Sequence, residues 1–394
     1  MRKRHTRWIL FFILLFLFSL AACGKKSNRA SYDPQNWNFE HCDGNIMAET
    51  EDGYYVVVYS YLYYVDKQTL SVTPLCDKAN CLHEKETDAL KKRSCNAYLA
   101  YACRFIFQTG NKLFLIKGGN AAPYELQEYT LGGKYKKRIA VLPEGHQKCI
   151  LHNGVFYYTY YDDVEKNEKA SNDWGVLKLV SLSSDGKKTE DLLAFEGTDI
   201  YAGNFYALGD LLYFFESGTD SEGIYQQREM VFNLKTGDLT EMECPTGLLA
   251  TAAMVCCDGL LRGFYGNDEV AYTFYQTTAD GRLSDSTVKV KYPHGLLCTF
   301  DEYFIQSNLF TGEEPYRYAV YRGGEFLTEF DLSSVDGLDL SRVPCMENNF
   351  YVSNDRIMIS VTSGTETFLV ALDRTQIDKG TAEPHLLFTF GQYD

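Results

Sequence analysis

After residue 22 the sequence holds no apolar run of the roughly 20 residues that a membrane-spanning helix requires. It holds no helix-length amphipathic stretch either, apart from a short loop at 84–94, which argues against a helical fold. Basic residues are in deficit: 38 Lys and Arg face 53 Asp and Glu, for a formal charge of −15. A body of that sign disfavours nucleic acid and anionic polymers unless a local basic patch intervenes. Catalytic signatures are missing. There is no G-x-S-x-G elbow and no H-E-x-x-H pair, and SSDGKKT at 183–189 lacks the aromatic residue of a sialidase-type box. The acidic loop YDDVEKNEKASNDW, 161–174, lacks the alternating aspartates of a calcium loop.

What is present begins at the first residue. Arg2, Lys3, Arg4 and Arg7 form a basic region, and Trp8 to Leu20 is an apolar run broken by one serine. That run is too short to span a bilayer comfortably and has the length of a signal-peptide core. It ends in Leu20-Ala21-Ala22-Cys23, which resembles a bacterial lipobox in all four positions. The resemblance implies a diacylglyceryl (palmitate-type) group on the Cys23 thiol and cleavage between Ala22 and Cys23. Two acyl chains satisfy the rule that stable anchoring takes more than one. Residues 24–36 have no apolar periodicity and read as a flexible tether. The expectation is a signal peptide over 1–22, a tether over 23–36 and one globular domain over 37–394. That domain would sit on the outer face of the cell membrane. Cleavage removes four basic residues and no acid, so the mature chain carries −19.

Thirty tyrosines and 25 phenylalanines favour strands. A turn dipeptide followed by a short apolar or aromatic run recurs at 53, 111, 154, 210, 259, 302 and 355. Each unit has an apolar segment before the marker (NIMAET, RFIFQ, KCILH, NFYAL, AAMVC, LLCTF, NNFYV) and a second hairpin after it. Seven units of strand, turn, strand, loop, strand, turn, strand at a period near fifty predict an all-β, seven-bladed β-propeller. Six blades plus an N-terminal sheet is the alternative. Both alternating faces of Tyr54–Tyr59 are apolar or aromatic, as a blade wedged between two neighbours requires.

The chain has 12 cysteines, 11 of them after Cys23, so they cannot all pair within the chain. PLCDKANCLHEKETDALKKRSCNAY, 74–98, places Cys76, Cys81, His83 and Cys95 within twenty residues. Three thiolates and an imidazole form a common closed zinc set, and Lys85, Lys91, Lys92 and Arg93 would offset the excess thiolate charge. The single residue between Cys81 and His83 is an unusual gap for two ligands of one ion. A disulfide, with Cys42 or Cys103 as a further partner, is the alternative, since such bonds persist outside the cytoplasm. In either case the cluster staples an insertion between the first two units. The vicinal pair Cys256-Cys257 and residues Cys103, Cys149, Cys298 and Cys345 read as small core residues on or beside first strands. The tyrosine-rich runs 54–64 and 157–161 read as packing between blades rather than sugar-stacking platforms.

Together the lipobox, the propeller-type repeat and the C-x4-C-x-H…C-N-A segment resemble a group of uncharacterised propeller lipoproteins of Gram-positive bacteria. The resemblance implies no established activity. The reading that follows is a monomeric, membrane-anchored propeller that binds a protein or glycan ligand, with no nucleic acid. A propeller hydrolase or lyase acting on glycans is the alternative, because distant residues can converge in a propeller channel.

Overall fold

The computed structural model describes residues 37–39, 47–58, 60–119, 122–143, 146–163, 174–244, 248–256, 259–266, 273–277, 282–284, 297–300, 303–307, 316–322, 325–338, 340, 348–353, 355–363 and 366–391. Ala22, Cys23, Cys42, Cys257, Cys345 and most of the 161–174 loop lie outside them. Pro34–Asp394 forms one compact unit.

Among the described residues the chain builds five antiparallel sheets of four strands and one larger sheet in which two four-stranded units share a strand, which together make the seven-bladed propeller that the repeat predicts. Blade 1 consists of Met47–Glu49, Gly53–Val58, Tyr61–Asp66 and Val72–Pro74. Blade 2 consists of Cys103–Thr109, Lys112–Gly119, Ala122–Thr130 and Tyr135–Val141. Blade 3 opens with His146–His152, Val155–Asp163 and Trp174–Ser183, and its outer strand is the first half of the long strand Thr189–Leu208. The second half of that strand is the inner strand of blade 4, which continues with Leu211–Thr219, Tyr225–Asn233 and Leu239–Glu241. The remaining blades run Leu248–Cys256 to Leu283–Ser284, Leu297–Phe300 to Glu325–Asp331, and Asn348–Val352 to His385–Gly391.

The apolar segment ahead of each marker is the inner strand of its blade. The tight turns come from residues able to enter the left-handed region, such as Gly110 at φ +56° and Gly209 at +58°. Gly53 has another reason to be glycine: a Cβ there would fall 2.4 Å from the ring of Tyr64, which lies over it from the neighbouring strand. Every residue of Gly53–Val58 is buried, on both faces of the sheet.

Apolar clusters join neighbouring blades around the ring. Tyr55, Val57 and Leu62 of blade 1 pack on Ile106, Leu113 and Leu115 of blade 2. Phe105, Phe107 and Phe114 of blade 2 pack on Leu151, Phe156 and Tyr158 of blade 3. Met47, Tyr54 and Tyr63 of blade 1 meet Tyr351, Met358 and Phe390 of blade 7, which closes the circle. Among the described residues blades 7 and 1 share no strand. A polar web on one face adds to the side-chain contacts. Tyr54 OH donates to Asp355, Arg356 Nη1 donates to the Lys67 carbonyl at 3.2 Å, and Lys67 pairs with Glu49.

Three features differ from the sequence reading. The strand Thr189–Leu208 runs without interruption from one blade into the next, with Thr198 paired to Trp174 on one side and Thr219 on the other. A short strand, Trp37–Phe39, pairs with Tyr206–Leu208 at the inner edge of blade 4. The last hairpin of blade 7 is not a tight turn, because Asp373 caps a helical turn, Arg374–Ile377, by accepting from Thr375 N–H at 2.7 Å. In the 84–94 loop only Ala89–Ser94 is α-helical, and it buries none of its residues; Asp88 caps it through the N–H groups of Leu90 and Lys91.

Candidate metal centre

The insertion leaves and re-enters blade 1 at one residue. Leu75 N–H donates to the Leu62 carbonyl at 2.9 Å, and Leu62 N–H donates to the Ala97 carbonyl at 2.8 Å. Everything from Cys76 to Asn96 is therefore a closed excursion from the middle of a core strand. It has little apolar content of its own, yet Cys95 and Ala97 belong to the buried cluster between blades 1 and 7, and Cys76, Cys81 and Tyr98 pack against it.

The excursion folds so that Cys76 Sγ, Cys81 Sγ, a His83 ring nitrogen and Cys95 Sγ all lie within 4.8 Å of one another. Cys95 is buried and the other three are half-buried. Cys95 Sγ and His83 Nδ1 are 3.6 Å apart. A tetrahedral zinc site with Zn–S near 2.3 Å and Zn–N near 2.05 Å requires that pair to sit about 3.6 Å apart. Cys76, Cys81, Cys95 and Cys103 are free thiols.

The awkward one-residue gap between Cys81 and His83 is resolved by the backbone. Asn80 and His83 take φ values of +59° and +52°. The left-handed region is uncommon for residues other than glycine, and Asn and His are among the types enriched there. These two bends fold the chain back so that both side chains reach one centre. Tyr61, from the core strand below, donates its hydroxyl to the His83 carbonyl at 2.9 Å and holds the second bend.

Charge is handled differently from the expectation that nearby lysines balance the thiolates. Lys92 lies over the rings of Tyr61 and Tyr98, 5.8 and 5.6 Å from their centroids, while Lys85, Lys91 and Arg93 face solvent. Backbone amides meet the sulfurs instead. Burial pushes the Cys76 thiol upward, but the N–H groups of Lys78 and Asn96 and the thiols of Cys95 and Cys81 outweigh it and hold the group below its ordinary range. Cys95, deeper in the seam, is pushed up to about 12 by burial first and by Cys81 next, although Ala97 N–H points at its sulfur. Amides two residues beyond Cys76 and Cys95 thus aim at sulfurs that must carry negative charge when they bind a cation.

Tyr61, and Asn96 with its side-chain amide on Asp77, complete the site and escaped the sequence reading. For Asn96 a signal existed in the C-N-A triplet. For Tyr61 there was none, because one tyrosine among many in a core strand looks like packing.

The other candidates fall elsewhere. Cys103 and Cys149 lie on inner strands, as the repeat implies; burial raises the Cys103 thiol to about 12. Tyr54, Tyr55, Tyr157 and Tyr158 are buried between blades. His152 is buried, with Nε2 2.7 Å from the Gly209 carbonyl across the blade 3–4 seam. A cleft of about 440 Å³ opens between blades 1 and 2, lined by Glu49, Glu51, Asp52, Tyr55, Tyr64 and Gln108 among others.

No family model matches the chain, and no curated protein sequence matches it. Solved structures do. An oligogalacturonate lyase from Vibrio parahaemolyticus aligns over 82% of this chain and 87% of its own, with a TM-score of 0.52 and 12% identity. An oligogalacturonate lyase in complex with manganese aligns over 83% and 88%, with a TM-score of 0.50 and 10% identity. A prolyl endopeptidase aligns over 92% of this chain but 51% of its own length, with a TM-score of 0.55 and 11% identity. At such identity the likeness concerns the fold, which is a β-propeller.

Proposed function

We propose that this protein is a lipid-anchored propeller on the outer face of a cell membrane. In this reading it is a rigid binding scaffold whose ring is clasped by a structural Zn²⁺ at Cys76, Cys81, His83 and Cys95. The carrying observation is the convergence of four ligand atoms within 4.8 Å, three of them thiol sulfurs. Soft thiolates select zinc over harder ions such as manganese. Four protein ligands leave no open position for water or substrate, which fits a structural ion rather than a catalytic one. The location suits a clasp: three of the four residues pack into or against the one described seam that joins the two ends of the ring.

For ligands, the cleft between blades 1 and 2 offers carboxylates and two tyrosines, a chemistry suited to a polar or cationic group on a protein or glycan. A glycan hydrolase or lyase would need two carboxylates free to act in that cleft. Glu49 is bound to Lys67, so that alternative would rest on Glu51 and Asp52.

Elemental analysis of the purified protein tests the centre. One zinc per chain is expected, with Cys76, Cys81 and Cys95 protected from alkylation until a chelator is added. Absence of zinc, with two of these thiols unreactive until reductant is added, would sink the reading. Anchoring is tested separately. Cys23→Ser should abolish acylation and leave the protein shed or unprocessed; acyl chains still found on the variant by mass spectrometry would count against the lipid anchor.

A further inference from the structure

We infer that the outer rim of blades 1–3 is a docking surface for an anionic lipid bilayer, and that it sets how the propeller stands on the membrane. The first observation is charge placement. Residues 37–198, which hold blades 1–3, carry 19 basic against 22 acidic residues, whereas residues 199–394 carry 12 against 30. The negative charge of the domain therefore belongs almost wholly to the second half of the ring.

The second observation is contiguity. Three basic segments far apart in sequence meet along one rim. The insertion presents Lys85, Lys91 and Arg93 to solvent. Beside its root, Gly133 of the blade 2 turn rests on Leu75: a Cβ there would fall 2.7 Å from Cδ2 of Leu75 and 3.0 Å from its carbonyl oxygen. That turn leads straight into Lys134 and then Lys136, Lys137 and Arg138 of the blade 2 outer strand, all exposed. Gly186 of the blade 3 turn then rests on the Ile139 carbonyl, 2.9 Å from where its Cβ would be, and brings up Lys187 and Lys188. Some of these cations have partners: Arg138 pairs with Glu125 at 2.8 Å, Lys137 with Glu128 at 3.8 Å and Lys187 with Asp185 at 3.1 Å. Lys85, Arg93, Lys134, Lys136 and Lys188 form no ion pair among the described residues.

The third observation separates a bilayer from a soluble polyanion. Leu82 and Leu90 of the insertion are 55% and 78% exposed, and Tyr135 and Val141 of the blade 2 outer strand are each 50% exposed. Apolar and aromatic side chains set among cations suit the headgroup boundary, where the cation meets phosphate and the apolar group enters the acyl edge. A polyanion in water offers nothing to Leu90.

The net charge of the whole domain does not forbid this contact. The screening length is about 8 Å at physiological salt, so the bilayer feels the rim that touches it and not blades 4–7 on the far side. Fourteen residues from Cys23 to Trp37 reach about 50 Å at most, so an anchored chain keeps the rim within range of the surface. The inference rests on the lipid-anchor reading only for that proximity.

The test replaces the natural anchor. Residues 34–394, the compact unit that holds every described strand, carry an N-terminal hexahistidine tag and are tethered to vesicles containing a nickel-chelating lipid. The bulk lipid is phosphatidylcholine alone or phosphatidylcholine with one quarter phosphatidylglycerol. Lysine acetylation is followed by mass spectrometry. Lys85, Lys134 and Lys136 should be acetylated about fivefold or more slowly on the anionic vesicles, a factor corresponding to roughly one surface-bound charge. Molar salt should erase the protection. The Lys134→Glu, Lys136→Glu, Lys188→Glu variant should lose it at Lys85 as well, and Leu82→Ser with Leu90→Ser should weaken it without changing its salt response. Equal rates on both vesicles, or protection centred on Lys235 and Lys379, would overturn the inference. Equal protection by soluble polyphosphate without vesicles would overturn the bilayer assignment in favour of a polyanion. Because the tether is synthetic, these outcomes do not depend on lipidation of Cys23.

Discussion

Blade 3 passes into blade 4 through one uninterrupted strand, whereas blades 7 and 1 meet with no strand in common among the described residues. At the first seam the joint is the backbone itself: Thr198 pairs with Trp174 in one blade and Thr219 in the next, so the two sheets cannot slide apart without breaking both ladders. At the second seam the ends of a chain of more than 300 residues must be brought together. Closing a loop of that length costs about 5 kcal/mol of chain entropy, and only side chains are available to offset it. Beside an apolar cluster like those of the other seams, the structure concentrates further chemistry there: a tyrosine–carboxylate–cation web, and three cysteines of the candidate metal centre packed in or against the cluster. A ring closed by side chains needs a clasp where a ring closed by backbone does not.

Removing one side of the closing seam should have the largest effect. Deleting blade 7, residues 348–391, strips Tyr351, Met358 and Phe390 from Met47, Tyr54 and Tyr63, and exposes an apolar blade face at each end of the remaining arc. Each blade needs both neighbours, so cooperative folding should be lost rather than reduced. A truncated chain that keeps a sharp melting transition at the original temperature would contradict a closed ring.

Removing the metal should come next. In small zinc domains the ion supplies about 10–16 kcal/mol of apparent folding free energy, and part of that should appear here. Chelation, or Cys81→Ser, should lower the melting temperature by several degrees and raise hydrogen exchange across 76–96. Exchange should also rise along His385–Gly391, whose Phe388 and Phe390 border the same cluster. Increased exchange confined to the insertion would mean the ion orders its own loop and clasps nothing. His83→Asn is the sharper variant. Asparagine tolerates the left-handed backbone at this position but removes the imidazole, so it separates ligand loss from backbone strain.

How much of this was legible beforehand follows the same division. The blades were readable because each repeats one local rule, a turn dipeptide ahead of an apolar run, and local rules leave periodic marks. Leu248–Cys256 and Asn348–Val352 could be placed as inner strands on that basis alone. The four metal-centre residues could be named because cysteine and histidine are rare and were crowded. Their geometry could not, since it depends on φ at Asn80 and His83 and on Tyr61, all of which look ordinary in one dimension. The long strand through Thr198 was missed because its two halves obey the same pattern as separate strands with a short connector. That the insertion roots in the closing seam was also hidden, because the seam joins residues about 300 positions apart.

A matched pair of substitutions, one at each seam, should have smaller effects. Phe205 at the 3–4 seam and Phe390 at the 7–1 seam are both buried, in clusters of similar make-up. Phe→Ala at either should cost about 3–5 kcal/mol, so denaturant midpoints should fall by similar amounts. The local consequences should differ. Phe390→Ala should open its seam below the global transition, seen as faster exchange at 353–356 and 385–391. Phe205→Ala should leave exchange at 198–208 tied to global unfolding, since the strand itself still spans the seam. Equal local opening at both sites would show that strand continuity adds nothing.

The smallest effect concerns acid. Asp355 is half-exposed at the 7–1 seam. Partial burial pushes its carboxyl upward, but the hydrogen bonds from Tyr54 and Ser353 and the charges of Lys67 and Arg356 outweigh that and hold it below the ordinary carboxylate range. A carboxyl whose folded value lies below its unfolded value of about 3.9 stabilises the folded state fully above that value. The contribution disappears as pH falls below about 4 and through the folded value, because the proton then binds both states. Tyr54 does not complicate the window, since burial first and Asp355 next raise its hydroxyl and keep the proton on the phenol throughout. At the 3–4 seam the Asp210 charge also reaches a buried tyrosine, Tyr157, whose hydroxyl is raised by burial first and by Asp210 next. There, however, the strand Thr189–Leu208 spans the joint, so acid should loosen the closing seam before the continuous one. Asp355→Asn should cost about 1 kcal/mol at neutral pH, a modest value because solvent screens a half-exposed pair. The gap between wild type and variant should narrow as pH drops from 5 to 3. Urea midpoints at several pH values measure it directly; a gap that stays constant through that range would mean the Asp355 charge contributes nothing to closure.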